Sequence, residues 1–362
     1  MVDLDNPQTY RSIDPGGMLG HLHALPEQCQ SAWHKALWFD LPADYSRVKK
    51  AVVLGMGGSA IGGDLLRTLA LLEGRVPVSV HRDYGLPPSI DEDTLLIASS
   101  YSGNTEETLS GFSQALTLPV KAKKLVLTSG GQLRALAEAA GIPVFSIDYK
   151  APPRAAFPHS FIPLVGLFHK FGLLQDQSSS FTEALRVLQE LSGELSETVA
   201  QAVNPAKRLA IGLSGKMAVI YGAGLLSEVA QRWKTQFNEN SKSWAFYEVF
   251  PEINHNSIVG YRFPSDLRNR IMVLLLHSSS LHPRISQRYH LTAEILANEG
   301  VDRELIEARG DSPLAQMLGM VLLGDYVSFY LAMLNGVDPS PVAPIDYLKK
   351  RLAEDQAVHL DR

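Results

Sequence analysis

Two polar clusters hold most of the side chains whose types and spacing could do chemistry. The first, Ser99-Ser100-Tyr101-Ser102-Gly103-Asn104-Thr105-Glu106-Glu107-Thr108, is a run of hydroxyls around a glycine, set where an apolar stretch ends and a helical pattern begins. N–H groups at a helix start carry partial positive charge, and hydroxyls add neutral donors, so a phosphate can be held here without a lysine. A helix cap is the simpler reading, because Asn104 and Glu107 partly fit a capping box, yet a cap needs one hydroxyl and this segment offers several. Gly55-Met56-Gly57-Gly58-Ser59 ends a neighbouring apolar stretch and adds a close backbone approach and another hydroxyl. Gly57, Gly58, Ser59, Ser100, Ser102 and Thr105 are therefore the candidate contacts to a phosphorylated ligand.

The second cluster joins Asn238-Glu239-Asn240-Ser241-Lys242 to Pro251-Glu252-Ile253-Asn254-His255-Asn256, with Trp244, Phe246, Tyr247 and Phe250 between them. Titratable groups flanked by aromatics point to a partly buried pocket, with Glu239 and His255 as the acid/base pair. Each has a bland reading of its own: a surface carboxylate at a helix end, and a loop histidine bonded to its own turn. Neither cluster has the H-E-x-x-H spacing of a metal site, and the single cysteine, Cys29, cannot build one, so no metal is expected. GMGGSAIGGD is a poor match to the dinucleotide fingerprint, and no Gly-Lys-Ser/Thr ending marks a nucleotide loop, so no cofactor is expected.

The elements around these clusters repeat one grammar. Apolar runs at Lys49–Gly55, Thr94–Ala98, Lys124–Thr128 and Ile142–Ile147 read as strands, separated by segments with helical apolar spacing. The pattern restarts at Lys216 with KMAVIYGAG, a helix, and NRIMVLLLH, so Gly222-Ala223-Gly224 repeats Gly55-Met56-Gly57. Such alternation predicts an α/β protein of two doubly wound, flavodoxin-like domains, with parallel sheets flanked by helices and ligands beyond the carboxyl ends of the strands. The expected divisions are an N-terminal segment 1–46, a first domain 47–155, a helical connection 156–210, and a second domain 211–362 ending in a helix.

The bulk numbers agree with a two-lobed globular chain: 362 residues, 45% hydrophobic and 20% charged. A formal charge of -5 without a Lys/Arg block argues against nucleic acid or a polybasic membrane contact. One cysteine and an acidic, non-apolar N-terminus fit the cytoplasm. Leu314 to Leu334 is the most apolar late stretch, but Gln316, Asp325, Tyr326 and Ser328 inside it read as a buried helix rather than a membrane span.

From about Val52 to the C-terminal helix, the sequence resembles the bifunctional phosphoglucose/phosphomannose isomerases, built from two sugar isomerase (SIS) domains. GMGGS at 55–59, SYSGNTEET at 100–108, PPRAA around Arg154, NENSK at 238–242, PEINHN at 251–256 and the late DYLKKRL carry the resemblance together. It implies that Glu239 moves a proton between C1 and C2, that Arg154 steadies the enediolate, and that His255 opens the sugar ring with Lys349, or the adjacent Lys350. Ser59, Ser100, Ser102 and Thr105 would contact the phosphosugar, chiefly its phosphate. It further implies glucose 6-phosphate and mannose 6-phosphate as substrates with fructose 6-phosphate, room near Ser340 for rotation about C2–C3, and a homodimer in which His255 crosses the interface. The chemistry is coherent, since a carbon acid beside a carbonyl needs a positioned carboxylate and a cation at the developing charge. The alternative is a non-catalytic SIS module that binds phosphosugars as a regulator, which would need the serine-rich turn but not Glu239, Arg154, His255 and Lys349 together. Other SIS-type isomerases of arabinose or heptose phosphates usually carry one such domain, against the duplication here.

Overall fold

The computed structural model of the chain describes residues 2–73 and 75–360. Three helices come first, α1 (Pro7–Ile13), α2 (Met18–His23) and α3 (Leu25–Trp38). A first α/β unit follows: β1 (Lys50–Leu54), α4 (Gly57–Glu73), β2 (Val78–His81), β3 (Thr94–Ser99), α5 (Glu106–Thr117), β4 (Lys123–Thr128), α6 (Gly131–Ala139) and β5 (Val144–Ser146). Helices α7 (Pro158–Lys170), α8 (Ser178–Leu195) and α9 (Pro205–Leu213) lead to the second unit: β6 (Met217–Gly222), α10 (Ser227–Glu239), β7 (Ala245–Val249), β8 (Ile271–His277), α11 (Pro283–Asn298) and β9 (Asp302–Glu307). Helices α12 (Pro313–Leu334) and α13 (Ala343–Leu360) end the described chain.

Both sheets are parallel throughout, ordered β2-β1-β3-β4-β5 and β7-β6-β8-β9. The first order is the flavodoxin-like one, and the second repeats its first four positions. Strand β3 is buried along its whole length, and β1 and β8 are buried beyond their first residues. That is why Val, Leu and Ile run through them without a polar alternation. Their carboxyl ends open into Gly55–Ser59, Ser100–Thr105, Gly222–Gly224 and Ser278–Ser280, the turns where a doubly wound sheet binds ligands.

Helix α12 organises the interior. Ser312 caps it by accepting from the Ala315 N–H, Pro313 occupies its first position, and every residue from Leu314 to Met333 is buried. A helix that is apolar on all sides must be enclosed, and α12 packs against α8, α9 and α10. It is long and apolar enough to cross a membrane, but 94% of its most apolar window is buried inside the fold. One contiguous core runs from Leu4 in the N-terminal segment through α3, α7, α8 and both sheets to Met333. The helices before β1 are thus part of the shared interior; Trp33 stacks on Phe181 of α8 at 4.3 Å between ring centres. Each large apolar side chain buried this way contributes about 1.5–3 kcal/mol.

Candidate active site

The turn after β3 is held by its own hydroxyls. Ser100 and Thr105 share a hydrogen bond of 2.8 Å, and the Gly103 N–H donates to Ser100 Oγ at 3.1 Å. Gly103 has φ of +68°, and a Cβ there would run into the Gly130 carbonyl, so only glycine fits this bend. Thr105 is the N-cap of α5, yet its side chain makes no capping bond. Asn104 Oδ1 instead accepts from the Gln132 N–H at 3.0 Å, so the alternative reading as a capping box is not what forms. The start of α5 therefore faces the turn without a side-chain cap, and Ser102 is exposed beside it. Such an end attracts an anion.

Contacts carry this turn to the other candidates. The Tyr101 N–H donates to Ser59 Oγ at 3.2 Å, joining the Ser100 and Gly57 turns. Gly57 enters α4 with φ of +49°, and a Cβ on Gly58 would sit 3.3 Å from the Pro153 carbonyl and 3.7 Å from Arg154 Cα. The Tyr101 hydroxyl donates to the Tyr149 carbonyl at 2.7 Å and accepts from the Ala151 N–H at 2.9 Å. The glycine turn, the serine turn and the Arg154 segment thus converge at the carboxyl ends of β1 and β3.

Arg154 is 3% exposed and reaches across to the second unit. Its Nη1 donates to Glu239 Oε2 at 3.4 Å, its Nε to Asn240 Oδ1 at 2.6 Å, and its Nη2 to the carbonyls of Pro339 and Ser340. Burial works against the charged guanidinium and Glu239 works for it, with burial the larger effect, so its acidity lies above that of free arginine. Glu239 is the last residue of α10, and its side chain remains 29% exposed. Carboxylate and guanidinium therefore meet at the edge of the cleft with the carboxylate open to a ligand.

Lys242 was not among the sequence candidates, although it belongs to the same NENSK run. It takes a left-handed backbone, φ 54°, and its Nζ donates to the Glu239 carbonyl at 2.5 Å and the Pro339 carbonyl at 3.1 Å. Burial, and then Arg154, lower its affinity for a proton. A non-glycine residue in that conformation stores roughly 1–3 kcal/mol of strain, and here it fixes the end of α10 that carries Glu239.

His255 and Lys349 are not brought to this cleft within one chain. His255 ends a short 3-10 turn, Glu252–His255, and is exposed; Lys349 is exposed on α13. The aromatics between the second cluster's halves also differ from the expected pocket wall. Only Phe250 is buried, whereas Trp244 is 73% exposed and Phe246 41%, because they lie on or beside the edge strand β7. Ser340 lies by the cleft, where its carbonyl accepts from Arg154; its hydroxyl is buried without a partner, and a Cβ on Gly16 of the N-terminal segment would collide with it. Among the described residues, no group of three or more His, Cys, Asp and Glu side chains is gathered to hold a metal ion.

Two parallel doubly wound sheets in one chain, with a hydroxyl-lined turn after the third strand and a buried arginine paired with a partly exposed glutamate between the units, define a protein of the two-domain sugar isomerase class. Residues 202–352 match the model of the bacterial phospho-glucose isomerase C-terminal SIS domain. The bifunctional phosphoglucose/phosphomannose isomerase of Caldicellulosiruptor bescii is 42% identical over 93% of this chain and 99% of its own length. The D-glucosamine-6-phosphate 4-epimerase of Sulfolobus acidocaldarius is 30% identical over 90% of this chain and 96% of its own. A glucose-6-phosphate isomerase like protein from Thermus thermophilus shares the fold, with a TM-score of 0.62 at 18% identity over 97% of this chain and 99% of that one. The chain belongs to the bifunctional phosphoglucose/phosphomannose isomerase family.

Proposed function

We propose that the protein interconverts fructose 6-phosphate with glucose 6-phosphate and mannose 6-phosphate through a cis-enediol, by proton transfer without a metal. The observation that carries this reading is the Arg154–Glu239 pair at 3.4 Å, tied through Gly58 and Ser59 to the hydroxyl turn. The phosphate sits on Ser59, Ser100, Ser102, Thr105 and the N–H groups around Gly57 and Gly58. Glu239 removes the hydrogen from C2 or C1 and returns it to the neighbouring carbon, and Arg154 faces the oxygen on which charge develops. Because the enediol is planar at C2, return of the proton to its other face gives the second epimer, which needs rotation about C2–C3 in the site.

Ring opening falls to His255, contributed by a second copy in a homodimer, together with Lys349. Support comes from exposed apolar side chains near both: Val259 is 84% exposed and Phe263 78% after His255, and Tyr347 is 66% and Leu348 58% beside Lys349. Patches of this kind mark interfaces. The cytoplasm is the expected location.

A coupled assay on fructose 6-phosphate, with and without chelator, alongside Glu239→Gln, tests the core of this. Turnover to both aldose phosphates that withstands chelation and disappears in Glu239→Gln is the expected result, with no turnover of glucosamine 6-phosphate. Full activity of Glu239→Gln, or loss on chelation, would reject the mechanism. Mixing inactive Glu239→Gln and His255→Ala chains should restore part of the activity if histidine and carboxylate come from different copies; no recovery in a proven mixed dimer would refute the shared site.

A further inference from the structure

Two guanidiniums lie almost wholly inside this protein, Arg154 at 3% exposure and Arg232 at 1%, and one buried carboxylate, Asp325 at 3%, stands with them. Arg232, Gln236 and Asn240 recur every four residues on α10, which turns a polar stripe toward the middle of α12. Gly324 permits the approach, since a Cβ there would meet the Trp233 ring, whose Nε1 donates to the Met320 carbonyl at 2.8 Å.

Two routes lead from Asp325 to Arg154. Arg232 Nη2 donates to both carboxylate oxygens, at 2.9 and 2.7 Å, and also to the Arg154 carbonyl at 3.3 Å. Along the second, the Asp325 carbonyl accepts from the Ser328 hydroxyl at 2.9 Å, Ser328 Oγ accepts from Asn240 Nδ2 at 3.0 Å, and Asn240 Oδ1 accepts from Arg154 Nε at 2.6 Å. Gln236 Nε2 completes the carboxylate's shell at 2.8 Å. Burial pushes the Asp325 carboxyl up while Arg232 and Gln236 pull it down. The ionised form is the one that accepts from all these donors at once.

We propose that Asp325 is a positioning residue for the isomerisation: through Arg232 it fixes the backbone of Arg154, and its charge offsets the second buried guanidinium, so that Arg154 faces Glu239 before proton transfer and the enediolate after it. The inference rests on the roles given above to Glu239 and Arg154. When Glu239 takes the proton, the negative charge passes to the enediolate oxygen, and without Asp325 that one anion would face two buried cations, which would be driven apart or opened to water. Asp325 makes no such proton exchange and keeps the guanidinium aimed while the enediolate lives. Misaim of this kind lowers transition-state binding without touching phosphate binding.

The test compares Asp325→Asn with Arg232→Met/Asp325→Leu, a pair that removes both charges and is expected to hold the fold, since apolar replacement of a buried ion pair is often neutral for stability. In both, kcat should fall by about 30-fold or more while KM for fructose 6-phosphate stays within about two-fold. Affinity for 5-phospho-D-arabinonate, whose carboxylate imitates the enediolate, should fall in parallel, with affinity for inorganic phosphate unchanged. A folded Asp325→Asn with kcat and analogue affinity within about two-fold of the parent would overturn the proposal. So would recovery of kcat together with thermal stability in the apolar pair, which would make Asp325 structural only. If Asp325→Asn does not fold, the apolar pair decides alone. Glu239→Gln, measured alongside, separates this failure from that of the mechanism: an active Glu239→Gln removes the base assignment, whereas an inactive one with unaffected Asp325 variants removes only this inference.

Discussion

The turns after β3 and β8 occupy the same place in two similar parallel sheets, and both are rich in serine, yet their hydroxyls are engaged differently. After β3, Ser102 is exposed, Ser100 and Thr105 bond to each other, and α5 starts with no side-chain cap. After β8, the Ser278 hydroxyl donates to Gln316 Oε1, while Gln316 Nε2 reaches Ser279 Oγ at 3.4 Å, Ser280 Oγ at 3.3 Å and the Gly310 carbonyl at 2.9 Å. Gln316, fully buried near the start of α12, thus reaches all three serines of the second turn with its own amide, while Ser279 and Ser280 stay exposed. Repeating a backbone does not repeat a site; what decides is whether a neighbouring helix already satisfies the turn's polar groups.

The largest effect that could break this comparison is at Gly103. Gly103→Val must leave the left-handed region and displace the Gly130 carbonyl, so kcat/KM should drop by about 100-fold or more in a steady-state assay. Activity near that of the parent would show that the bend is not needed. Next come two histidines, one in the connecting helix α7 and one in the second unit. His159 is buried, its Nε2 has no partner, and burial lowers it to about 4, whereas His277 bonds Glu307 at 2.7 Å and Ser286 at 2.9 Å. The unfolded chain takes up a proton near pH 6.5 and the native His159 does not until near pH 4, so stability present above pH 6.5 is lost as pH falls. Denaturant titrations should show about 2 kcal/mol less stability at pH 5 than at pH 7, and His159→Phe should remove most of that difference.

Smaller effects sharpen the contrast. Ser100→Ala should raise KM for fructose 6-phosphate about ten-fold, and the matched Ser278→Ala should leave it unchanged. Equal shifts in both would mean that the second turn also serves the ligand. Finally, Gln316→Ala should lower stability by about 1 kcal/mol, read from denaturant midpoints, with kcat and KM unaffected.

Much of the sheet was legible because buried parallel strands leave continuous apolar runs. Strands β1, β3, β4, β6 and β8 lie within a residue or so of their expected spans. Strands β2, β7 and β9 were not read at all. Each lies at or near an edge, and β9, DRELIE, has one buried residue, so neither apolar continuity nor clean alternation marks it. In the site, family motifs placed Glu239 and Arg154, which stand 85 residues apart in sequence. Their meeting is a product of how the segment before α7 lies against the end of α10, which no local pattern carries. Asp325 was read only as a sign against a membrane span. A lone carboxylate in a fully apolar helix, with Arg232, Gln236 and Asn240 at four-residue steps elsewhere, was the available signal for a buried partner.

Because α12 is the beam against which α8, α9 and α10 all rest, the order of synthesis matters. Helices α8, α9 and α10 all leave the ribosome before α12 does, and until then the apolar faces waiting for this helix have nothing to close on. These faces are thus open in the nascent chain until α12 follows them, and they are the surfaces on which a chaperone would act.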